Sequence, residues 1–288
     1  MKENFVRLTP KNFPPTLLEI SDPPKELWLA GKLPKDQAVW LAVVGSRKFS
    51  TYGREVCEKL IAGLAGYPIV IVSGLALGID TIAHQSALRA GLNTIAIPGS
   101  GLSRKVLYPP ANHRLADEIL SKGGALLSEL PPETHATVYS FPQRNRIMAG
   151  LTQATLVIEA TEKSGTLITA RLAMEYNRDV LIVPGSIFSP NSRGTNKLIS
   201  QGARPIIDSN DLLEALGFKP TESNQTKLDL SELSSPERKI VELLSISPLP
   251  RDELTTQAGL KASEANTIIM MMSLKGLIVE KMGEIRLV

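Results

Sequence analysis

From residue 38 onward, short unbroken runs of Val, Ile, Leu and Ala alternate with longer stretches whose apolar positions recur every three or four residues. The runs predict β-strands at 38–44, 68–72, 94–97, 125–127, 155–159, 180–183 and 205–207. The intervening stretches predict helices near 51–65, 78–90, 112–121, 142–152, 165–177 and 194–201. Strands that are apolar at successive rather than alternate positions are those covered on both faces. Their alternation with helices predicts an α/β fold, a Rossmann-like, mostly parallel sheet with helices on both faces.

The flanks read differently. Residues 1–37 are Pro-rich and lack helical period, which predicts an extended lead-in to a core at 38–217. Residues 218–235 are mainly Lys, Pro, Thr, Glu, Ser, Asn and Gln, the composition of a linker. Beyond it, amphipathic segments at 237–244, 251–258 and 263–275 precede two short strands around Gly283. Three helices and a hairpin within 236–288 predict a small C-terminal winged-helix-like domain. The sequence contains neither an internal repeat nor a low-complexity tract.

Composition narrows the setting. No apolar run approaches the ~20 residues of a membrane span, and the N-terminus carries no signal-peptide pattern, so a cytoplasmic protein without a membrane partner is expected. A single cysteine, Cys57, excludes an internal disulfide framework, and His84, His113 and His135 lack metal-ligand spacing. Neither metal nor cofactor is expected. The net charge is only +3, but residues 141–204 carry eight Lys/Arg against four Asp/Glu, whereas residues 205–235 carry two against six. The basic excess sits mid-chain, where it would suit a polyanion or form an ordinary solvated face.

In a parallel α/β sheet, ligands bind beyond the carboxyl ends of the strands. Five of those junctions are small-residue loops, at Gly45-Ser46-Arg47, 73–78, 98–101, Lys163-Ser164-Gly165-Thr166 and 184–186. One such loop would mean no more than a strand end and a helix cap. Five along one edge, with cations interleaved, point to a phosphate-binding rim. Arg144 and Arg146 flank Asn145 and, two apart on a helix, face different partners. That spacing leaves room for one on the rim and one on a carboxylate such as Glu129 or Glu159. Phe141 beside them is either a base-stacking face or a hydrophobic staple. The first junction has one glycine where a dinucleotide fingerprint needs three, and the chain holds no P-loop. Ser46 and Ser73 lack a His/Asp constellation for a serine hydrolase.

The ordered motifs Gly45-Ser-Arg-x-x-Ser-x-Tyr-Gly53, Ser73-Gly-Leu-Ala-x-Gly-Ile-Asp80, Tyr108-Pro-x-x-Asn112, Ser128-Glu-x-Pro131, Phe141-Pro-x-Arg-Asn-Arg-Ile-x-Ala-Gly150, Lys163-Ser-Gly-Thr-Leu-Ile-Thr-Ala170, Val183-Pro-Gly and Gly194-x-Asn196 resemble those of the DprA/Smf family of DNA-processing proteins. The lead-in from Phe13-Pro14 through Asp22-Pro-Pro24 to Trp28 and Gly31 looks like the segment preceding that family's core, so the likeness spans about residues 13–208. The C-terminal segment is similar to the accessory domain many members carry. The resemblance implies a non-enzymatic protein that binds and protects single-stranded DNA and helps load RecA, a recombinase, during natural transformation. It also implies a homodimer. By the same resemblance, Arg47, Arg144, Arg146 and Lys163 would line the phosphate path.

Two rival readings come from the same residues. A related Rossmann-like family, the cytokinin-activating phosphoribohydrolases, uses a Gly-Gly-x-Gly-Thr-x-x-Glu turn with a catalytic glutamate. The corresponding turn here ends at Thr169, without the carboxylate that glycosyl-bond hydrolysis needs. The winged-helix-like domain would alternatively read duplex DNA. Its third helix, however, offers one lysine and three consecutive methionines, and residues 236–288 balance at seven charges of each sign.

Overall fold

A computed structural model describes residues 4–34, 38–220, 233–281 and 283–287. The chain divides into two compact units, residues 1–220 and 221–288.

All seven expected strands form, as β3 (Val39–Val44), β4 (Ile69–Ser73), β5 (Asn93–Ala96), β6 (Ala125–Ser128), β7 (Ala154–Val157), β8 (Asp179–Ile182) and β9 (Arg204–Pro205). They are mutually parallel, in the order β6-β5-β4-β3-β7-β8-β9. Successive residues of one strand feed opposite faces. Trp40 and Val44 of β3 pack with α5 (Ser140–Leu151), α6 (Thr166–Glu175) and α7 (Pro190–Ser200). Leu41 and Val43 pack with α2 (Thr51–Ala62), α3 (Ile79–Arg89) and α8 (Ser209–Ala215). Burial of both faces is why these strands are written as continuous apolar runs. On the second face, α4 (His113–Ser121) closes a smaller cluster over β5 and β6.

The lead-in does more than run along the sheet. It supplies β1 (Val6–Leu8) and β2 (Leu27–Gly31), which extend the sheet to nine strands, with β2 antiparallel to β6 and β1 antiparallel to β2. Between them α1 (Pro15–Leu18) buries Leu17, and Gly150 of α5 has no side chain where Ile20 and Leu17 approach. An added Cβ there would come within 2.7 Å of Ile20. Helix α7 begins a turn earlier than its hydrophobic period suggests, because Pro190 starts it.

Most of the linker expected at 218–235, namely 221–232, lies outside the described residues. The second unit contains α9 (Ser235–Ile246), α10 (Arg251–Ala258) and α11 (Ala262–Leu274), with β11 (Ile278–Lys281) and β12 (Glu284–Leu287) as an antiparallel wing. A two-residue strand, β10 (Leu249–Pro250), pairs with β12. Ser234 and Glu237 form a capping box on α9, and the Glu237 carboxylate also receives Lys275 Nζ at 2.7 Å. Those contacts, Lys275 first, pull the Glu237 carboxyl down to about 2. The core of this unit is formed by Ile240, Leu254, Ile269, Met272 and Ile285.

Candidate nucleic-acid interface

After β3 the chain builds the sheet outward through β4, β5 and β6, then returns to the other side of β3 to place β7. A crevice opens beyond the carboxyl ends of strands at such a reversal. Here it is a cavity of about 410 Å³, walled by the β3 turn, the β7 loop, the first turns of α5 and Asn191 of α7.

Specific bonds hold these loops. Ser50 caps α2 by accepting the Gly53 N–H at 3.1 Å. Buried Glu159, just beyond β7, accepts the Ser50 N–H at 2.9 Å and its hydroxyl at 2.5 Å. Thr166 Oγ1 donates to the Gly45 carbonyl at 3.1 Å, tying the start of α6 to the β3 turn. Gly78 adopts φ of 91°, and a Cβ there would lie 2.4 Å from the Ser46 carbonyl oxygen. Only glycine allows that approach.

Two arginines meet the cavity in opposite ways. Arg47 is exposed, with its guanidinium carbon 5.3 Å from the centre of the Phe141 ring. Phe141 in turn meets Tyr108 edge-on, at 5.8 Å and 60° between rings, and Tyr108 is 44% exposed. The Phe141 ring lies over Gly99, where a Cβ would come within 2.5 Å of it.

Arg144 is buried. Its Nη1 donates to the carbonyls of Gly74 and Ile97, its Nε to Asn145 Oδ1 at 3.0 Å, and its Nη2 lies 3.7 Å from Asp80. Asp80 also accepts the N–H groups of Gly74 at 3.1 Å and Ala76 at 3.3 Å. Burial pushes the Asp80 carboxyl up, against the pull of Arg144 and the two N–H groups, and burial pushes the Arg144 guanidinium down. His84, fully buried and 2.7 Å from Thr94 Oγ1, is driven down to about 3 by burial first and by Arg144 second.

The structure brings Gly45, Ser46, Arg47, Phe141, Arg144, Asn145, Ser164, Gly165 and Thr166 into one cavity wall. Lys163 is exposed on the same loop, one residue before Ser164, but outside the wall. Two of the expected residues sit differently from the rest. Arg144 is turned largely inward, with Nε and Nη1 bonded to Asn145 and two backbone carbonyls, while Nη2 lies 3.7 Å from Asp80 and belongs to the floor of the cavity. Arg146 lies outside the cavity wall. It is paired with Glu129 at 2.6 Å and Asp22 at 3.3 Å, pinning α5 to the end of β6 and to the lead-in. Phe141 packs across the cavity mouth on Tyr108, Gly99 and Arg47 rather than only against its own helix.

Lys48, Asn191 and Tyr108 were not singled out from the sequence as site residues. The signal for Tyr108 was present in Tyr108-Pro-x-x-Asn112, where Asn112 fastens the β5 loop to Leu75 O at 2.8 Å. Among the described residues, no three His, Cys, Asp or Glu cluster as metal ligands would, and no helix is long and apolar enough to cross a membrane.

An open, basic crevice lined by glycine and hydroxyl groups, at the reversal point of a Rossmann-like sheet, has the chemistry that suits an anionic ligand. Among the described residues, Asp80 is the one carboxylate in its wall, and it is held by Arg144 and two N–H groups. Such a carboxylate is poorly placed to act as the general acid or base of a hydrolase.

The chain belongs to the DNA recombination-mediator protein A family, which matches residues 4–217, and the DprA winged helix domain matches residues 224–284. It is 37% identical over 270 residues to Protein Smf of Escherichia coli, covering 92% of this chain and 72% of that one. It is 45% identical over 206 residues to DNA processing protein DprA of Streptococcus pneumoniae, covering 72% of each. The X-ray structure of DprA from Streptococcus pneumoniae superposes with a TM-score of 0.69 at 43% identity, covering 73% of this chain and 74% of that one. A structure of DNA processing protein A from Helicobacter pylori, described for its single-stranded DNA binding mode, superposes with a TM-score of 0.65 at 31% identity, covering 75% and 96%. The protein is thus a recombination mediator of the DNA-processing class, a DNA-binding protein without catalytic turnover. The phosphoribohydrolase reading is set aside.

Proposed function

We propose that single-stranded DNA lies across the carboxyl edge of the sheet. Its phosphates are met by Arg47, Lys48, Lys163 and the Ser164-Gly165-Thr166 helix start, and its bases by Phe141 and Tyr108. The observation that carries this reading is the meeting of Arg47, Phe141 and the 164–166 turn on one open cavity. A single strand needs cations for its backbone and π-faces for its bases, and both are present side by side. Arg144 adds its field from below without a direct contact.

A strand held by its phosphates leaves its pairing edges accessible, which suits protection of an incoming strand and its delivery to a RecA-type recombinase in transformation or recombination. A homodimer belongs to the same reading. Ile207, just beyond the outer strand β9, is 80% exposed, and a second copy would cover it. A cytoplasmic location fits the lone, buried, unpaired Cys57.

Titration of one preparation with single-stranded DNA, duplex and mononucleotides tests the proposal. Preference for the single strand is expected, and equal affinity for duplex would overturn it.

A further inference from the structure

We propose that Phe188, with Ile187 beside it, is a second base-stacking station at the β8 end of the same edge, so that the bound strand runs across the sheet rather than ending in the cavity. The inference rests on the single-strand reading above.

Ile187 and Phe188 are 74% and 87% exposed, an apolar pair displayed to solvent. The turn that carries them is firmly held. The Phe188 N–H meets Ser186 Oγ at 3.2 Å, and the Ser189 N–H meets the Ser186 carbonyl at 3.0 Å. The Asn196 side chain bonds both the N–H and the carbonyl of Gly185, at 3.3 and 3.0 Å, and Tyr52 donates to the Pro184 carbonyl at 2.7 Å. A mobile loop could tuck a phenylalanine away; this one presents it.

The turn is continuous with the cavity. Strand β8 neighbours β7, whose loop lines the cavity, and Asn191, three residues after Phe188, is itself in the wall and donates to the Lys48 carbonyl at 2.9 Å. Exposed Lys48 and Arg193 flank this stretch and supply charge for the backbone. Tyr108 stands beyond β5 at the other end. From β5 to β8 is four strand spacings, about 19 Å at ~4.8 Å each. At the ~3.4 Å per nucleotide of a stacked strand, that holds about six nucleotides, and fewer when stretched. Stacking on a ring tolerates any base, so the station would add affinity without sequence preference.

The test uses the full chain with oligothymidylates of about four and twelve nucleotides. Phe188→Ala should weaken the longer oligomer by about tenfold, the scale of one lost base–aromatic stack, and leave the shorter within about twofold. Tryptophan fluorescence of a Phe188→Trp chain should be quenched by the longer oligomer and not by the shorter. Wild-type affinity of Phe188→Ala for both lengths would overturn the proposal. So would a loss accompanied by dissociation of a self-associated form in sedimentation, which would assign Phe188 to a contact between copies. Arg47→Glu should weaken both lengths; no effect there would remove the cavity reading itself.

Discussion

The carboxyl edge of the core sheet and the third helix of the C-terminal unit occupy positions where their folds commonly meet nucleic acid, yet they present opposite surfaces. On the sheet edge, Arg47, Lys48 and Lys163 are exposed and, among the described residues, form no salt bridge, Arg47 reaching Asp80 only through its field. On α11, the exposed side chains include Met270 at 64%, Met271 at 49% and Leu274 at 73%. Two nearby cations are already neutralised, Arg251 by Glu280 and Lys275 by Glu237, which leaves Lys261 at the start of the helix. A fold assigns a place where binding can occur, and the uncompensated charge at that place decides whether it does. The comparison separates a polyanion surface from one whose chemistry suits apolar contact.

The largest effect expected comes from beneath the edge. Arg144→Ala strands the Asp80 carboxylate among backbone groups and should cost about 3–5 kcal/mol in denaturant unfolding, as loss of one partner of a buried ion pair does. If Arg144 were a surface phosphate ligand, the same change would barely affect unfolding. Acid sharpens the picture of a dry floor. His84 stays neutral in the native state down to about 3, while an unfolded histidine takes up a proton below ~6.5. The unfolded state therefore binds the extra proton between those values. Stability should fall as pH falls through that window, by up to about 1.4 kcal/mol per pH unit from this group, and His84→Asn should flatten the slope.

A smaller effect is expected in the other region. Glu237→Gln removes the ion pair with Lys275 and weakens the α9 cap, which should cost about 1 kcal/mol in the C-terminal unit. In the wild type, the depressed Glu237 pKa contributes stability that is present above the ordinary carboxylate range near 4.5 and is lost as pH falls toward about 2. Unfolding of the C-terminal unit should show that dependence in the wild type and lose it in the variant. The smallest effect separates the two regions outright. Removing residues 221–288, or introducing Met270→Glu, should change single-strand affinity by no more than about twofold. Loss of most binding in either would place the nucleic-acid surface on the winged helix instead.

The seven parallel strands were legible because burial on both faces forces continuous Val/Ile/Leu runs that few other contexts require. Strands β1 and β2 were not. An antiparallel edge needs no crossover helix to announce it, and the surrounding prolines disguise Leu27–Gly31 as lead-in. The site was legible to the level of its loops, since glycine and hydroxyl residues at strand ends keep their meaning wherever the chain goes. Which arginine is free was not. Arg47 and Arg144 both stand beside small-residue loops, and only the packing of α5 over β4 and β5 aims one into two backbone carbonyls while the other faces solvent. Arg146 could be placed on Glu129 only as one of several partners, because the end of β6 and the second turn of α5 meet through tertiary packing. Phe188 gave no signal, since an exposed aromatic in a turn looks the same in sequence as a buried one.

Salt dependence of oligonucleotide binding tests the central account most directly. Affinity of the wild-type protein should fall linearly on logarithmic axes as salt rises, and the slope should become shallower by about 0.7 for each phosphate contact removed in Arg47→Glu and Lys163→Glu. Unchanged slopes and affinities in both variants would contradict it.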